Sequence, residues 1–142
     1  MSINDSFDIS ASAIDTNRIR MEIIASNLAN MDSTRSVDGG PYRRKIPVIG
    51  EKSITFSEEL RRAQGKMGGG VEVITIIDDT TPFQKIYNPG HPDADENGFV
   101  SLPNVSMSKE MVDMVYTSKL YEANITAFNI AKKMAQDTLQ IP

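Results

Sequence analysis

A chain of 142 residues has room for one modest core, and its net charge of −4 with a pI near 5.0 speaks against a nucleic-acid surface, which is ordinarily basic. With no cysteine there is no disulfide or thiol chemistry, and without an apolar run of 18 residues no membrane span is expected. Tryptophan is absent and aromatics are 6% of the chain, whereas eight methionines favour adaptable helix packing over a rigid aromatic core.

The chain opens on the polar "MSINDSFD", and its first thirty residues hold no apolar block of a cleavable secretory signal. A helix is predicted from about residue 6 to residue 30. Phe7, Ile14, Met21 and Leu28 fall seven apart and are all apolar. The row three residues on, Ser10, Asn17, Ile24 and Met31, becomes apolar only in its second half. This is a heptad seam with a polar first part. A one-sided helix roughly 38 Å long is not stable alone, so the stripe needs a partner. The segment ends in "ASNLANMDST". Asn30 stands where the helix stops and suits a C-cap, because asparagine tolerates the left-handed conformation. Asn27, one turn earlier, sits beside Leu28. A carboxamide in a helix seam costs stability unless paired, but it fixes register, so Asn27 is expected to pair or cap across a helix contact.

The middle, residues 35–105, changes character. "SVDGGPY" and "GKMGGG" are glycine-rich breakers, and the second lacks the Lys-Ser/Thr of a phosphate loop. "VEVITII", residues 71–77, is a strand by its β-branched content. "YRRKIPVI" and "FQKIY" are weaker strand candidates, and Pro47 puts the first on an edge or ends it. "TFSEELRRAQ" can hold a short helix with Thr55 and Glu58 as a capping box. Arg43, Arg44 and Lys45 either touch a partner or solvate an edge strand.

Next comes "NPGHPDADENGFVSLPN". Asp93, Asp95, Asn97 and Gly98 match the first half of a calcium loop, but its twelfth position is Asn104 where a bidentate glutamate belongs. Pro89, Pro92 and Pro103 stand where flanking helices would be. The preferred reading is a tight structural loop, comprising Pro89, Gly90, His91, Pro92, Asp93, Asp95, Asn97, Gly98, Pro103 and Asn104. In it side-chain oxygens cap backbone amides and Asn97-Gly98 supplies a positive φ. No metal, cofactor or catalytic residue is expected. His91, the only histidine, has neither a cysteine partner nor a serine in a nucleophile elbow, and reads as a hydrogen-bonding spacer. Two other functions stay open: a soluble monomeric binding or regulatory module with a cation-binding Asp-Asn-Gly loop, and a hydrolase using His91.

A second long helix is predicted from about Ser106 to Leu139, with two apolar stripes. Met107, Met111, Met114, Tyr121, Ile125, Phe128, Ala135 and Leu139 form one. Leu120, Ala127, Ala131, Met134 and Ile141 form the other, with Asn124 and Thr138 set into it. Two stripes call for two neighbours, and the chain has only one other long helix. The second stripe is therefore expected to face another molecule, and Asn124, like Asn27, to set register across a helix contact.

"FDISASAIDTNRIRMEIIASNLANMDST" resembles the N-terminal segment of the flagellar axial proteins of rod and hook, whose Ser-Asn-Leu-Ala-Asn stretch is residues 26–30 here. "GPYRRK", "YNPGHPDADENGFVSLPNV" and "EMVDMVYTSKLYEAN" resemble a basal-body rod member of that family, so the likeness covers nearly the whole chain. It implies an α+β subunit, with long N- and C-terminal helices paired as an antiparallel coiled coil and a small β-rich middle. Residues 1–34 and 106–142 would form the assembly domain, and residues 35–105 an outer part. It also implies a non-enzymatic structural role in the proximal rod, packing into a helical tube that transmits torque across the periplasm. The implied partners are other rod proteins and further copies of the chain, the rod-to-ring adaptor, the membrane ring, and the type III export apparatus that exports such proteins without removing a signal.

Overall fold

The computed structural model describes residues 3–36, 39–53, 60, 63 and 69–139. Helix α1 is Ile3–Ala29, followed by β1 (Lys45–Glu51), β2 (Val71–Asp78), β3 (Gln84–Tyr87), β4 (Phe99–Leu102) and helix α2 (Met107–Leu139). At about 1.5 Å per residue these helices are rods of roughly 40 and 50 Å. They pack together along their length. Phe7 meets Phe128 near one end and Asn27 meets Glu110 near the other, so the pair is antiparallel. Continuing that alignment sets Ile3 opposite about Lys132, and the last turns of α2 run beyond the described start of α1.

Between the helices lie two antiparallel ribbons, β1–β2 and β3–β4. Pro47 is tolerated in β1 because a two-stranded ribbon leaves every strand an edge. The register shifts between Val48 and Ile49. Strand β4 was not expected from the sequence: "FVSL" lies inside what reads as one long loop. It pairs with β3 from Gln84–Leu102 to Tyr87–Phe99, and the Tyr87 and Phe99 rings meet edge-on at 5.4 Å. Gly98, with φ +79°, makes the turn into β4, and a Cβ there would fall 2.9 Å from the Tyr87 ring. The Thr55–Glu58 capping box lies outside the described residues.

The apolar core is thin: Ile23, Ile24, Val100, Val105 and Ala131 are buried. Polar side chains share the interior, among them Thr16, Asn27, Glu110 and Thr117. The polar first half of α1 has a use. The Ser12 hydroxyl accepts the Val71 N–H, and Thr16 donates to the Val71 carbonyl, so the helix supplies the start of β2 with partners. A Cβ on Gly70 would come within 2.7 Å of Ser12 Oγ, which explains a glycine at this approach.

On α2 the inner face follows a heptad. Glu110, Thr117 and Ala131 are buried, and Asn124 completes the row half-buried. Met114, Tyr121 and Phe128 form the half-buried row beside it. Thr117 returns its hydroxyl proton to the Asp113 carbonyl at 2.7 Å, and Ala131 presents almost no bulk, so both let α1 approach closely. The Phe7 and Phe128 rings meet at 5.1 Å and 66°. Phe128→Ala is expected to cost about 2 kcal/mol, below the range for a fully buried ring, and a thermal melt checks it.

The predicted stripes of α2 are re-sorted by this geometry. Of the first, Met114, Tyr121, Ile125, Phe128 and Ala135 turn inward, while Met107, Met111 and Leu139 are exposed. Of the second, Leu120, Asn124 and Ala131 turn inward, and Ala127, Met134 and Thr138 are exposed; Ile141 lies outside the described residues.

Candidate functional site

Two features stand out, a buried polar hub that joins the chain's segments and an apolar outer face on α2. The hub grows from the first turn of α2. Pro103, fully buried, and Ser106 bring the chain into the helix, and the Ser106 carbonyl accepts the Glu110 N–H at 3.0 Å. A carboxylate so close to a helix N-terminus is favoured by the helix dipole. Glu110 is nonetheless 0% exposed, and a buried carboxylate persists only when paired. Arg44 Nε donates to Glu110 Oε1 at 2.6 Å, and Asn27 Nδ2 donates to Glu110 Oε2 at 3.1 Å.

Asn27 is 1% exposed and uses both ends of its amide. Nδ2 also donates to the Lys45 carbonyl at 2.9 Å, while Oδ1 accepts from the Tyr42 hydroxyl at 2.9 Å and the Lys45 N–H at 3.0 Å. Asn104 does the parallel service on the other side. Its Oδ1 accepts the Arg44 N–H at 2.8 Å, and its Nδ2 donates to the carbonyls of Asp79 and Thr81. Arg44 further approaches Asp79 and Asp113, each at 3.6 Å. One guanidinium thus serves three carboxylates, and the hub ties α1, β1, the turn after β2 and α2 into one unit. The Asp79 carboxyl is held below its ordinary value, first by the Thr81 hydroxyl and further by the Thr81 amide and Arg44. Among the described residues no buried side-chain polar atom lacks a hydrogen-bond partner.

This hub answers what Arg43, Arg44 and Lys45 do. Arg43 lies over the Phe83 ring at 4.4 Å and donates to the Asp79 carbonyl, Arg44 enters the hub, and Lys45 engages it through backbone alone. Sequence reasoning passed over Glu110 and Tyr42 and did not join Arg44 to either. One signal for them existed: Glu110 is seven residues before Thr117 and fourteen before Asn124, so a charge occupies a seam position and demands a counter-ion.

The other two asparagines act differently. Asn30 closes α1, but not in the left-handed conformation expected of it, since no described non-glycine residue has positive φ. Its N–H and its Nδ2 both donate to the Ser26 carbonyl, and its own carbonyl accepts the Ser33 N–H. The Ser26 carbonyl thus takes two donors from one residue, and the helix ends without that conformation. Asn124 donates to the Leu120 carbonyl of its own helix at 2.9 Å rather than across to α1.

In the loop after β3 the residues that spell a calcium motif diverge. Asp93 pairs with Arg35 and accepts the Thr34 hydroxyl at 2.8 Å, which fastens the loop to the turn after α1. Asp95 Oδ1 accepts the N–H groups of Asn97 and Phe99, as a turn-capping carboxylate does. Asn104 belongs to the hub. Among the described residues no three His, Cys, Asp or Glu side chains converge as metal ligands would.

The Asp93 carboxyl lies below its ordinary value of 3.8, chiefly through the Thr34 hydroxyl, then through Arg35; burial works the other way. A depressed carboxyl contributes stability above its unfolded value and loses it as pH falls through the folded one. Acidification below about pH 4 should therefore loosen this attachment. Thr34→Val, which removes the largest cause, is expected to move the Asp93 titration midpoint upward, as carboxyl NMR would show.

The outward face of α2 carries Met111, Val112, Val115, Tyr116, Ile130 and Met134, all more than half exposed. An ion pair between Lys119 and Glu122 interrupts it midway. The outward face of α1 is polar by comparison, with Asp15, Arg18 and Glu22 joined in ion pairs. Of the residues expected to pack, Phe7, Ile14, Met21, Ile24, Asn27 and Leu28 on α1 are buried or half-buried, whereas Met111, Met134 and Leu139 on α2 are exposed. Among the described residues no helix is long and apolar enough to cross a membrane.

Comparison with known proteins agrees with this layout. Residues 7–35 match the family described as flagella basal body rod protein, and residues 96–141 match the flagellar basal body rod FlgEFG protein C-terminal family. The flagellar basal-body rod protein FlgC of Bacillus subtilis (strain 168) is 44% identical, over 96% of this chain and 95% of that protein. The protein of the same name from Aquifex aeolicus is 40% identical, over 99% and 97%. That of Salmonella typhimurium is 39% identical, over 99% and 98%. The chain belongs to the FlgC family of flagellar basal-body rod proteins.

Proposed function

We propose that this chain is a structural subunit of the proximal rod, built with other rod proteins and further copies of itself into a helical tube that transmits torque across the periplasm. The observation that carries this reading is the apolar outer face of α2. A monomer with a thin core gains nothing from displaying Met111, Val112, Val115, Ile130 and Met134 to water, whereas a subunit enclosed by neighbours buries them. Each such side chain, fully buried, contributes roughly 1.5–3 kcal/mol. Contacts between unlike surfaces that do not close into a ring build an open helix, as a rod requires.

In this scheme residues 1–34 and 106–142 are the assembly domain and residues 35–105 the outer part. Among the residues expected to pack, Met111, Met134 and Leu139 face neighbouring chains. Phe7, Ile14, Met21, Ile24, Asn27, Leu28, Met114, Leu120, Tyr121, Ile125 and Phe128 serve the helix pair, Asn124 lies on its inner row bonded to its own helix, and Asn30 ends α1. The chain reaches the periplasm through the flagellar type III export apparatus, and the rod-to-ring adaptor and membrane ring are its further partners.

The test is a charged outer face. Val115→Glu with Ile130→Glu should leave the unfolding free energy of the free chain in urea within about 1 kcal/mol of the parent, about 0.5 for each exposed substitution. In a strain lacking the native protein it should abolish rod assembly and motility. Full motility in that strain would remove the outer face from assembly.

A further inference from the structure

The loop from Asn88 to Gly98 meets the turn after α1 mainly through Asp93, and His91 stands beside that attachment. Its Nδ1 accepts the backbone N–H of Asp93 at 3.1 Å and lies 3.9 Å from Asp93 Oδ2. A ring nitrogen that accepts a hydrogen bond carries no proton; once protonated it is a donor and can no longer accept. The ring borders a half-open cavity of about 260 Å³ between the turn after α1 and the β3–β4 ribbon. The turn contributes Asp32 and Thr34 to its wall, and the ribbon side contributes Ile86, Asn88, Val100 and Leu102. Asp93 is the charged group beside the ring, held in turn by Arg35 of the turn after α1; Asp32 of that turn shares the cavity wall, and Asp95 and Glu96 lie further along the same loop. The ribbon-side residues that line the cavity are aliphatic or amide and carry no charge. A protonated ring therefore has room to turn and two carboxylates to turn toward.

We propose that His91 is a proton-operated latch within this loop, which sets how Asp93 holds the turn after α1. In its neutral form it holds the Asp93 amide and leaves the Asp93 carboxylate to Thr34 and Arg35. When it takes up a proton at Nδ1, the bond from the Asp93 N–H is lost and the new N–H competes with the Thr34 hydroxyl for Asp93 Oδ2. Arg35 keeps the other oxygen. Asp93 Oδ2 is thereby shared between the Thr34 hydroxyl and the ring N–H, and the loop changes its hold on the turn after α1. Imidazole is the side-chain group that ordinarily changes charge between pH 5 and 8, which sets the range to be scanned.

NMR of the full-length chain in solution between pH 5 and 8, following the His91 ring, the Asp93 amide and the Thr34 resonances, tests it. His91→Asn is the control, because an asparagine oxygen can accept the same amide but takes no proton in this range. The expected result is that Asp93 and Thr34 move with the same midpoint as the ring in the native chain and stay still in His91→Asn. An Asp93 amide that is unmoved while the ring titrates overturns the proposal. So does movement that persists in His91→Asn, or a ring that does not titrate between pH 5 and 8. The coincidence of midpoints in the native chain decides the matter even if the variant loses the loop.

Discussion

Glu110→Ala is expected to destabilise the chain by about 3–5 kcal/mol, the cost of removing one member of a buried ion pair. The loss falls on what remains. Arg44, 12% exposed at its side chain, keeps only the carboxylates of Asp79 and Asp113 at 3.6 Å, and Asn27 Nδ2 loses its acceptor on α2. Urea unfolding of the two chains measures the difference. The double variant Glu110→Leu with Arg44→Met should be less destabilised than the sum of the two single changes, because it removes both charges together. Strict additivity would mean that the pair contributes nothing as a pair. Since Glu110 joins α2 to Arg44 of β1's approach and to Asn27 of α1, the variant should also lose motility.

Asn27→Leu is the second large effect. Leucine matches asparagine in reach but offers no hydrogen bonds, so the Tyr42 hydroxyl, both backbone groups of Lys45 and Glu110 Oε2 lose a partner together. Each buried group left unpaired costs about 1–3 kcal/mol, and the more accessible ones recover water, so a total of about 3 kcal/mol is expected. Asn27→Asp should be worse at neutral pH than in mild acid, because it sets a second carboxylate against Glu110 and removes the donor between them. Unfolding midpoints at two pH values separate the variants. If Asn27→Leu were as stable as the parent, the hub would not be what fixes the register of the two helices.

The long elements were legible because their physics is local. Heptad spacing of Phe7, Ile14, Met21 and Leu28 marks α1, and the run of β-branched residues from Val71 marks β2. The excess of apolar residues on α2 announced a need for more than one neighbour, yet which residue faced which could not be read by eye from two overlapping stripes. The outcome depends on the rotation of the helix, which the contacts of Phe128 and Glu110 set. Strand β4 was hidden because four residues beside a proline-rich loop carry too little pattern, and its pairing with β3 is settled across the chain. The hub was hidden for the same reason: Arg44 and Glu110 are 66 positions apart, and nothing near either names the other. Asn27 was recognisable as a residue that needs a partner, but its partners were not. Asn124 looked equivalent in sequence and proved self-sufficient, since an amide that bonds back to its own helix needs no neighbour.

The central claim is that the outward face of α2 is covered by other subunits. The chain has no cysteine, so one introduced thiol can report on one position without background. Val115, 63% exposed, is the site of choice, and Thr117 on the inner face is its control. Maleimide labelling of Val115→Cys should be rapid in the free chain and strongly suppressed in isolated basal bodies, while Thr117→Cys should be slow in basal bodies too. Equal, rapid labelling of Val115→Cys in the free chain and in basal bodies would contradict the account.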